Sequence, residues 1–294
     1  MTLIGNETLV RTKRGFVRAK NLQTEDRILT ENGFREFKSE IVEYEGTIIN
    51  LLVWGFPDLI TSTQDDLFHS VKQNPCPDLG GLGICKPDNR CWSTCPDDHE
   101  NKINFINVKD NQPLFLRKRG FLTMKISHTD NISYKNFKNI NESFEQGWEF
   151  ALLKYNDPTK FLNIENFINQ SPDYFLSFMK GWHECMKETK LDKWNYFIIV
   201  NSKQAAYDAQ FLFTYFGIPC AVEPYESKQF GKDKWAIIWC KDKKEFHYKS
   251  FKHSPYLYTQ IKKWEKLNDQ KISMIQIECP DANYVMAPFG IKLF

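Results

Sequence analysis

The chain lacks the features that mark a membrane or secreted protein. None of its 294 residues belongs to a run approaching the ~18 apolar residues of a membrane-spanning helix, and its N-terminus has no charged-then-apolar signal pattern. Net charge is also small, +2 at pH 7, and argues neither for nor against nucleic acid. Asn, Lys, Phe, Ile and Tyr are abundant, which is typical of an AT-rich coding sequence such as that of a virus, phage or organelle. We expect an intracellular protein (cytoplasmic, virion or organellar) that is not secreted, has no membrane partner and keeps its thiols reduced.

Both ends of the chain show short apolar segments separated by glycine and polar turns. This pattern predicts compact β-structure rather than helices. At the N-terminal end it runs through Asn6–Val10, Gly15–Phe16, Glu25–Leu29, Ile48–Val53 and Thr61–Phe68. At the C-terminal end it runs through Ile275–Glu278, Asn283–Val285 and Gly290–Ile291. The length of the chain leaves room for a second domain between them.

These segments resemble the conserved blocks of the Hint domain, the fold shared by inteins and hedgehog autoprocessing domains. Glu7–Val10 with Ile28–Leu29 resembles the first block, and Thr61–Phe68 resembles the block that reads Thr-x-x-His. Ile275–Glu278 with the segments after it resembles the closing block. The resemblance implies that residues 1–69 and 271–294 form one β-domain and that everything between is an insertion.

The residues that carry self-splicing in that family are missing at the matching positions. The nucleophilic Cys or Ser falls near Leu3, within Met1-Thr2-Leu3-Ile4, where Thr2 is at best a poor substitute, and the histidine of Thr-x-x-His falls at Asp66 after Thr63. His69 has the wrong spacing. In the closing block Ala282 stands where a histidine is expected, and Lys292-Leu293-Phe294 replaces the final His-Asn. Cys279 is either a recruited nucleophile or a small core residue. We therefore expect autoprocessing to be lost.

A cysteine-rich segment, residues 70–102, interrupts the strand pattern. Its Pro and Gly content excludes regular helix or sheet. Four cysteines with spacing x8, x5 and x3 are candidate ligands of a structural zinc ion, with His99 as an alternative ligand: Cys76, Cys85, Cys91 and Cys95. Two disulfides and a surface loop with unrelated thiols are the other interpretations.

The remainder of the chain alternates helical and strand patterns. Residues 103–171 read as connecting strands and a helix over Phe144–Tyr155. For residues 172–270 the pattern predicts the order αββαββα. Its elements are a helix Tyr174–Lys187 capped by Asp173, two strands from Lys193 to Ile199 before a turn at Asn201-Ser202, a helix Lys203–Phe216 ended by Gly217, strands Cys220–Glu223 and Trp235–Cys240, and a helix Pro255–Leu267.

This order, around SKQAAYDAQFLFTYFGIPCAV, resembles one subdomain of a LAGLIDADG homing endonuclease. With Gly181 in register, the metal-binding Asp of that family falls at Met186, and Glu184 lies on a different helix face. Asp157 is either a relic of a second motif or a residue that ends a helix before Pro158. Methionine does not hold magnesium, so we expect a Mg²⁺ cofactor only if nuclease activity survives.

Lysines outnumber acidic residues about two to one between residues 228 and 271, with aromatic residues interleaved. That composition is typical of a surface that contacts DNA phosphates and equally of a solvated sheet edge. The candidate contacts to double-stranded DNA are Lys228, Lys232, Lys234, Lys241, Lys243 and Lys244.

Three hypotheses follow. The first is an intein-derived protein without splicing or nuclease catalysis, retained as a DNA- or protein-binding module. The second is a homing endonuclease that is active as a homodimer. The third is a structural subunit of a larger viral, phage or organellar assembly.

Overall fold

The computed structural model describes residues 2–71, 103–107, 121–125, 140–154, 162–186, 195–227, 231–240, 246–247, 250–253, 256–287 and 290–293. Most of this part of the chain is β-structure. The N-terminal strands are β1 Thr2–Gly5, β2 Leu9–Thr12, β3 Gly15–Arg18, β4 Ile28–Thr30, β5 Gly33–Arg35, β6 Lys38–Val53, β7 Phe56–Thr63 and β8 Leu67–Val71. The strands β9 Ile103–Asn107 and β10 Phe121–Lys125 follow.

Helices and a small sheet occupy the middle of the chain. They are α1 Ile140–Lys154, α2 Glu165–Ile168, α3 Pro172–Cys185, β11 Asn195–Val200, α4 Lys203–Tyr215, β12 Cys220–Ser227 and β13 Gly231–Cys240. The C-terminal strands are β14 Phe246–His247, β15 Ser250–His253, β16 Tyr256–Glu278, β17 Tyr284–Met286 and β18 Gly290–Lys292. No helix in the described ranges is both long enough and apolar enough to cross a membrane.

The two ends of the chain meet in one sheet. Strand β1 pairs antiparallel with β16, with Thr2 opposite Ile277 and Gly5 opposite Met274. Strand β17 pairs with β4, and β18 pairs with β8. The prediction of a mostly β fold built from both termini is therefore confirmed.

The longest pairing, between β6 and β16, corrects the sequence analysis. It runs from Ile261 opposite Val53 to Glu278 opposite Lys38, so the predicted helix Pro255–Leu267 is wrong. The three-residue spacing of Ile261 and Trp264 imitated a helix. A register shift between residues 261 and 263 inserts an extra residue, which lets a three-residue spacing return to the same strand face. Strand β16 also runs across position 270, where the inserted unit was predicted to end.

The other predicted elements of the insert agree in part. Strands β11, β13 and β12 form an antiparallel three-stranded sheet in that order, and α1, α3 and α4 match predicted helices within a few residues. Within the described residues β11 is the single strand between α3 and α4, where the predicted order αββαββα has two. The predicted N-cap is wrong, because Ser171 Oγ rather than Asp173 accepts the hydrogen bond from the Tyr174 amide, at 3.2 Å. Pro172 occupies the first helical turn and moves the cap one residue ahead of it.

The insert and the N-terminal strands share one hydrophobic core. The ring of Phe16 lies 5.7 Å from that of Phe211, and the ring of Phe56 stacks on Tyr207 at 5.3 Å. The guanidinium of Arg11 is buried between them and donates to the Thr214 hydroxyl at 2.6 Å. Burial lowers the pKa of Arg11 to about 9. Helix α4 is therefore packed into the β-structure rather than attached to it by linkers.

Candidate functional site at the N-terminal strand

A tight turn between β7 and β8 carries the threonine and aspartate of the resembled Thr-x-x-His block. The backbone N–H of Thr63 donates to Asp66 Oδ2 at 2.7 Å, and the Thr63 hydroxyl donates to the same oxygen at 2.9 Å. The Asp66 amide returns a hydrogen bond to the Thr63 carbonyl at 3.4 Å. Both residues are buried. Local side-chain hydrogen bonds of this kind fix the turn without help from the sheet.

The Asp66 carboxylate also reaches the first strand. It accepts a hydrogen bond from the backbone N–H of Leu3, and β1 lies beside this turn because Ile4 pairs with Ser62. Leu3 is near the position where the resemblance requires a nucleophile. Its side chain is aliphatic, so it supplies no oxygen or sulfur that could attack a carbonyl carbon.

Burial sets the protonation of this group. Desolvation raises the pKa of Asp66 from 3.8 to about 7, although the hydrogen bonds from Thr63 and Leu3 act in the opposite direction. A perturbed pKa is typical of catalytic groups but also of structural carboxylates. The groups that contact Asp66 belong to the turn itself and to strand β1, so this carboxyl group links two segments of the chain.

The closing segment is held by an acidic residue that the sequence analysis missed. Glu31 Oε1 accepts the Asn283 amide at 2.6 Å, and Glu31 Oε2 accepts the Tyr284 amide at 3.0 Å. The thiol of Cys279 is buried and donates to the Glu36 carbonyl at 3.2 Å, and burial raises its pKa. These contacts support the interpretation of Cys279 as a core residue. No local sequence signal marks Glu31, because its partners lie about 250 residues away.

Helices α1 and α3 cross at two glycines. A Cβ added to Gly147 would lie 1.9 Å from the Phe178 carbonyl oxygen, and one added to Gly181 would lie 2.0 Å from that of Phe144. The crossing therefore relates the two helices approximately symmetrically. Five residues beyond Gly181 lies Met186, the expected metal-binding position, and five residues beyond Gly147 lies Leu152.

The two positions related by this crossing are not acidic. Leu152 is apolar and 65% exposed, and Met186 is partly buried. Glu184 Oε1 lies 3.5 Å from Nδ1 of the buried His183. Asp157 lies outside the described residues. Neither symmetry-related position offers a carboxylate for a divalent cation.

Few of the predicted DNA-contacting lysines can be placed. Lys234 lies on β13 opposite Tyr225, and Lys232 lies on the same strand. The remaining ones, Lys228, Lys241, Lys243 and Lys244, fall outside the described residues. Strand β16 carries further exposed lysines in the predicted basic segment: Lys262, Lys263, Lys266 and Lys271. The ammonium of Lys262 lies 4.7 Å from the centre of the Trp54 ring.

The proposed zinc ligands Cys76, Cys85, Cys91 and Cys95, together with His99, also fall outside the described residues. Within the described ranges no group of three or more His, Cys, Asp or Glu side chains is arranged to hold a metal ion. Cys185, Cys220 and Cys279 form no disulfide in the described part of the chain. The zinc and disulfide interpretations of the cysteine-rich segment both stay predictions.

Comparison with known proteins gives a partial similarity to an intein. No family model matches the chain, and no curated protein matches it. Among solved structures, the crystal structure of the gp41-1 intein is 18% identical with a TM-score of 0.20, covering 24% of this chain and 54% of that one. A triple-substituted variant of that intein is 19% identical with a TM-score of 0.20, covering 29% of this chain and 65% of that one. The chain thus spans less than two thirds of either structure it matches.

Proposed function

We propose that the protein is an intein-derived Hint-type fold that no longer splices, carries a degenerate homing-endonuclease-like insert, and is retained as a DNA-binding module. The observation that carries the proposal is the buried turn in which Asp66, at the histidine position, binds the Thr63 amide and hydroxyl and the amide of Leu3. At the position of the splicing acid, Asp66 links the turn to strand β1. Near the position of the nucleophile stands Leu3, whose aliphatic side chain cannot attack a carbonyl.

The strand pairings support the Hint assignment. A chain closed by its own last strands requires contacts between residues near 30 and residues near 280. Val285 pairs with Thr30, and Asn32 Nδ2 donates to the Asp281 carbonyl at 3.1 Å. An insert that leaves and re-enters such a fold in the middle of the chain is the arrangement in which inteins carry endonucleases.

The helix pair supports the proposed loss of nuclease catalysis. Phosphodiester cleavage of the proposed kind needs carboxylates that hold divalent metal between the two scissile phosphates. Leu152 and Met186 supply none, and this favours the non-catalytic hypothesis over an active homodimeric endonuclease.

Binding of duplex DNA is the retained activity that the exposed lysines support. Lys262, Lys263 and Lys266 are exposed on β16, next to the partly buried Trp264. Lysines contact phosphates as point charges, and aromatic neighbours are common in nucleic-acid surfaces. The lysines of residues 228–244 extend the same basic segment in the sequence.

The splicing part of the proposal is tested with the chain fused between two reporter domains. We expect the fusion to stay intact, as measured by mass spectrometry after overnight incubation with and without thiol. The matched control carries Leu3→Cys and Asp66→His, which restore the missing nucleophile and imidazole. A spliced or cleaved product from the unsubstituted chain would contradict the proposal.

The DNA part is tested by fluorescence anisotropy with a labelled duplex over a range of salt concentrations. We expect binding that weakens with salt, and each of Lys262→Gln, Lys263→Gln and Lys266→Gln to reduce the slope by roughly one phosphate contact. Lys38→Gln, an exposed lysine at the start of β6, is the control. Absence of binding at low salt would favour a protein partner, and Mg²⁺-dependent cleavage of plasmid DNA would establish the endonuclease alternative instead.

Metal analysis tests the zinc prediction. If the thiolates of Cys76, Cys85, Cys91 and Cys95 hold a structural ion, metal analysis of protein purified under reducing conditions will return about one zinc per chain. A content far below that, with paired thiols on mass spectrometry, would indicate the disulfide interpretation.

A further inference from the structure

A cavity lies between the β2–β3 hairpin and helix α4. Its volume is about 470 Å³, and its wall includes Arg14, Phe16, Arg18, Lys203, Tyr207 and Asp208. Volumes of roughly 300–1,000 Å³ are usual for small-molecule sites. The cavity is formed by residues from both the N-terminal strands and the insert, and neither the splicing remnant nor the basic strand β16 uses it.

Two arginines and a lysine lie on the rim of the cavity, each paired with a carboxylate, and the Asp58 carboxylate lines the same cavity. Arg14 donates from Nε and Nη2 to Asp26 at 2.5 and 2.6 Å, and Arg18 Nη1 donates to Glu7. A guanidinium carries five N–H donors, and these ion pairs use two and one of them. The side chains of Arg14 and Arg18 are 49% and 39% exposed. The ion pairs thus orient both groups and leave them able to bind an anion.

The ammonium group of Lys203, on the rim, is held in place by neighbouring side chains. Lys203 Nζ donates to Asp58 Oδ1 at 2.5 Å and lies 5.5 Å from the centre of the Tyr207 ring and 4.7 Å from that of Trp235. An ammonium group has three donors, so this arrangement holds the charge at the cavity without using all of them.

The inner wall combines aromatic rings with a polar pair. The rings of Phe16 and Tyr207 lie 5.8 Å apart. On the same cavity wall, Gln204 Nε2 donates to Asp208 Oδ1 at 2.7 Å, and the Leu162 amide donates to Asp208 Oδ2 at 3.1 Å. Asp208 is buried, and desolvation raises its pKa to about 7. The side-chain amide of Gln204 carries both donors and an acceptor, which the edge of a nucleobase requires.

We propose that the cavity binds a mononucleotide, with the phosphate at Arg14, Arg18 and Lys203 and the base between the aromatic wall and the Gln204–Asp208 pair. Inorganic phosphate fits the rim but leaves the aromatic wall unused, and a nucleoside leaves the cations unused. A free nucleotide and the 5′-phosphorylated end of a single strand present the same chemistry, so the experiment includes both.

Isothermal titration calorimetry of the full chain with AMP, GMP, CMP and UMP tests the proposal. We expect at least one of them to bind with a Kd below about 1 mM, and at least roughly tenfold tighter than its nucleoside and than inorganic phosphate. A 5′-phosphorylated oligonucleotide that binds better than its 5′-hydroxyl form identifies a strand end as the ligand, and mononucleotide binding alone identifies a free nucleotide. The proposal is overturned if no mononucleotide binds below 1 mM or if phosphate binds as tightly.

Substitutions in the cavity wall test whether the nucleotide binds in this cavity. Arg18→Gln and Lys203→Gln should each weaken nucleotide binding by about tenfold, since each removes a charge-assisted contact to phosphate. Lys38→Gln lies at the start of β6, outside the cavity wall and outside the proposed DNA-binding lysines, and should bind nucleotide as the unsubstituted chain does. Circular dichroism establishes that each variant is folded. Unchanged affinity in Arg18→Gln, or equal loss in Lys38→Gln, would overturn the assignment to this cavity.

Discussion

Single carboxylates join parts of this chain that are far apart in sequence. Glu31 accepts the amides of Asn283 and Tyr284, Asp66 accepts that of Leu3, and Asp208 accepts that of Leu162. In each case a side chain accepts hydrogen bonds from backbone amides. At the buried Asp66 and Asp208 this meets a strong requirement of a protein interior, whereas the contacts of Glu31 lie at the partly exposed closing segment. These three residues therefore hold together segments that are distant in the sequence.

A substitution of Glu31 tests the first of these hydrogen-bonded links. Glu31→Ala removes the acceptor of two backbone amides in the closing segment, so we expect the free energy of unfolding to fall by about 1–2 kcal/mol. The matched control is Glu36→Ala, whose carboxylate is 81% exposed and pairs with Arg27, and it should change stability by less than about 0.5 kcal/mol. Urea unfolding measures both. Equal effects in the two variants would show that Glu31 does not hold the closing segment.

The two buried aspartates predict how stability depends on pH. Burial raises the pKa of Asp66 and of Asp208 from 3.8 to about 7, so the folded state binds these protons more tightly than the unfolded chain does. Their contribution to stability is complete below about pH 3.8 and is lost as the pH rises through 7.

We therefore expect the urea midpoint of the unsubstituted chain to fall more steeply between pH 5 and pH 8 than that of Asp66→Asn or Asp208→Asn. The variant Asp26→Asn is the control, because the pKa of Asp26 is lowered beside Arg14 and its effect has the opposite sign. A slope that is unchanged in both test variants would contradict the assignment of raised pKa values to these carboxyls.

At the scale of elements, the apolar spacing of the helices was read correctly, whereas the N-cap of α3 and the pairing of β16 with β6 were not. Helix α4 was predicted from its apolar spacing and from Gly217, which ends it with φ +70°. Strand β16 was predicted in part as a helix, because its register shifts are set by the partner strand β6 and are invisible in its own sequence. Thr63 and Asp66 were singled out from a motif, but the cavity was missed, since residues 9–58 and 203–208 meet only in the folded chain.

The close crossing of α1 and α3 predicts that larger residues at its two glycines lower the stability of the protein. Gly147→Ala and Gly181→Ala each place a methyl group about 2 Å from a carbonyl oxygen of the other helix, so the helices must move apart. We expect each substitution to cost about 2–3 kcal/mol in the free energy of unfolding, although alanine favours helix more than glycine does. Glu145→Ala, at an exposed position of α1, is the control and should change stability little. Stabilisation by either glycine substitution would contradict the close crossing.

For the whole molecule, the shared core makes the stability of the β-structure depend on the insert. An insert with its own core would leave the β-structure intact when removed. Here Phe16 and Phe56 of the N-terminal strands pack on Tyr207 and Phe211 of α4, and the Val222 amide donates to the Gly55 carbonyl at 2.8 Å. Removing the insert would expose aromatic surface and deprive the buried Arg11 of its bond to Thr214.

We therefore expect the β-structure and the insert to unfold together, and Phe16→Ala to test this from one side of the contact. Truncating a buried phenylalanine costs about 3 kcal/mol or more, which is on the order of a hundredfold in the opening equilibrium. Hydrogen exchange followed by mass spectrometry should show the protected amides of β6, β16 and α4 accelerating by the same factor. The control is Leu59→Ala, a residue of β7 that is 52% exposed, and it should leave exchange unchanged. If exchange in α4 stays slow while β6 and β16 accelerate, the insert is an independent unit, and a cavity built from both parts could close or open without unfolding either.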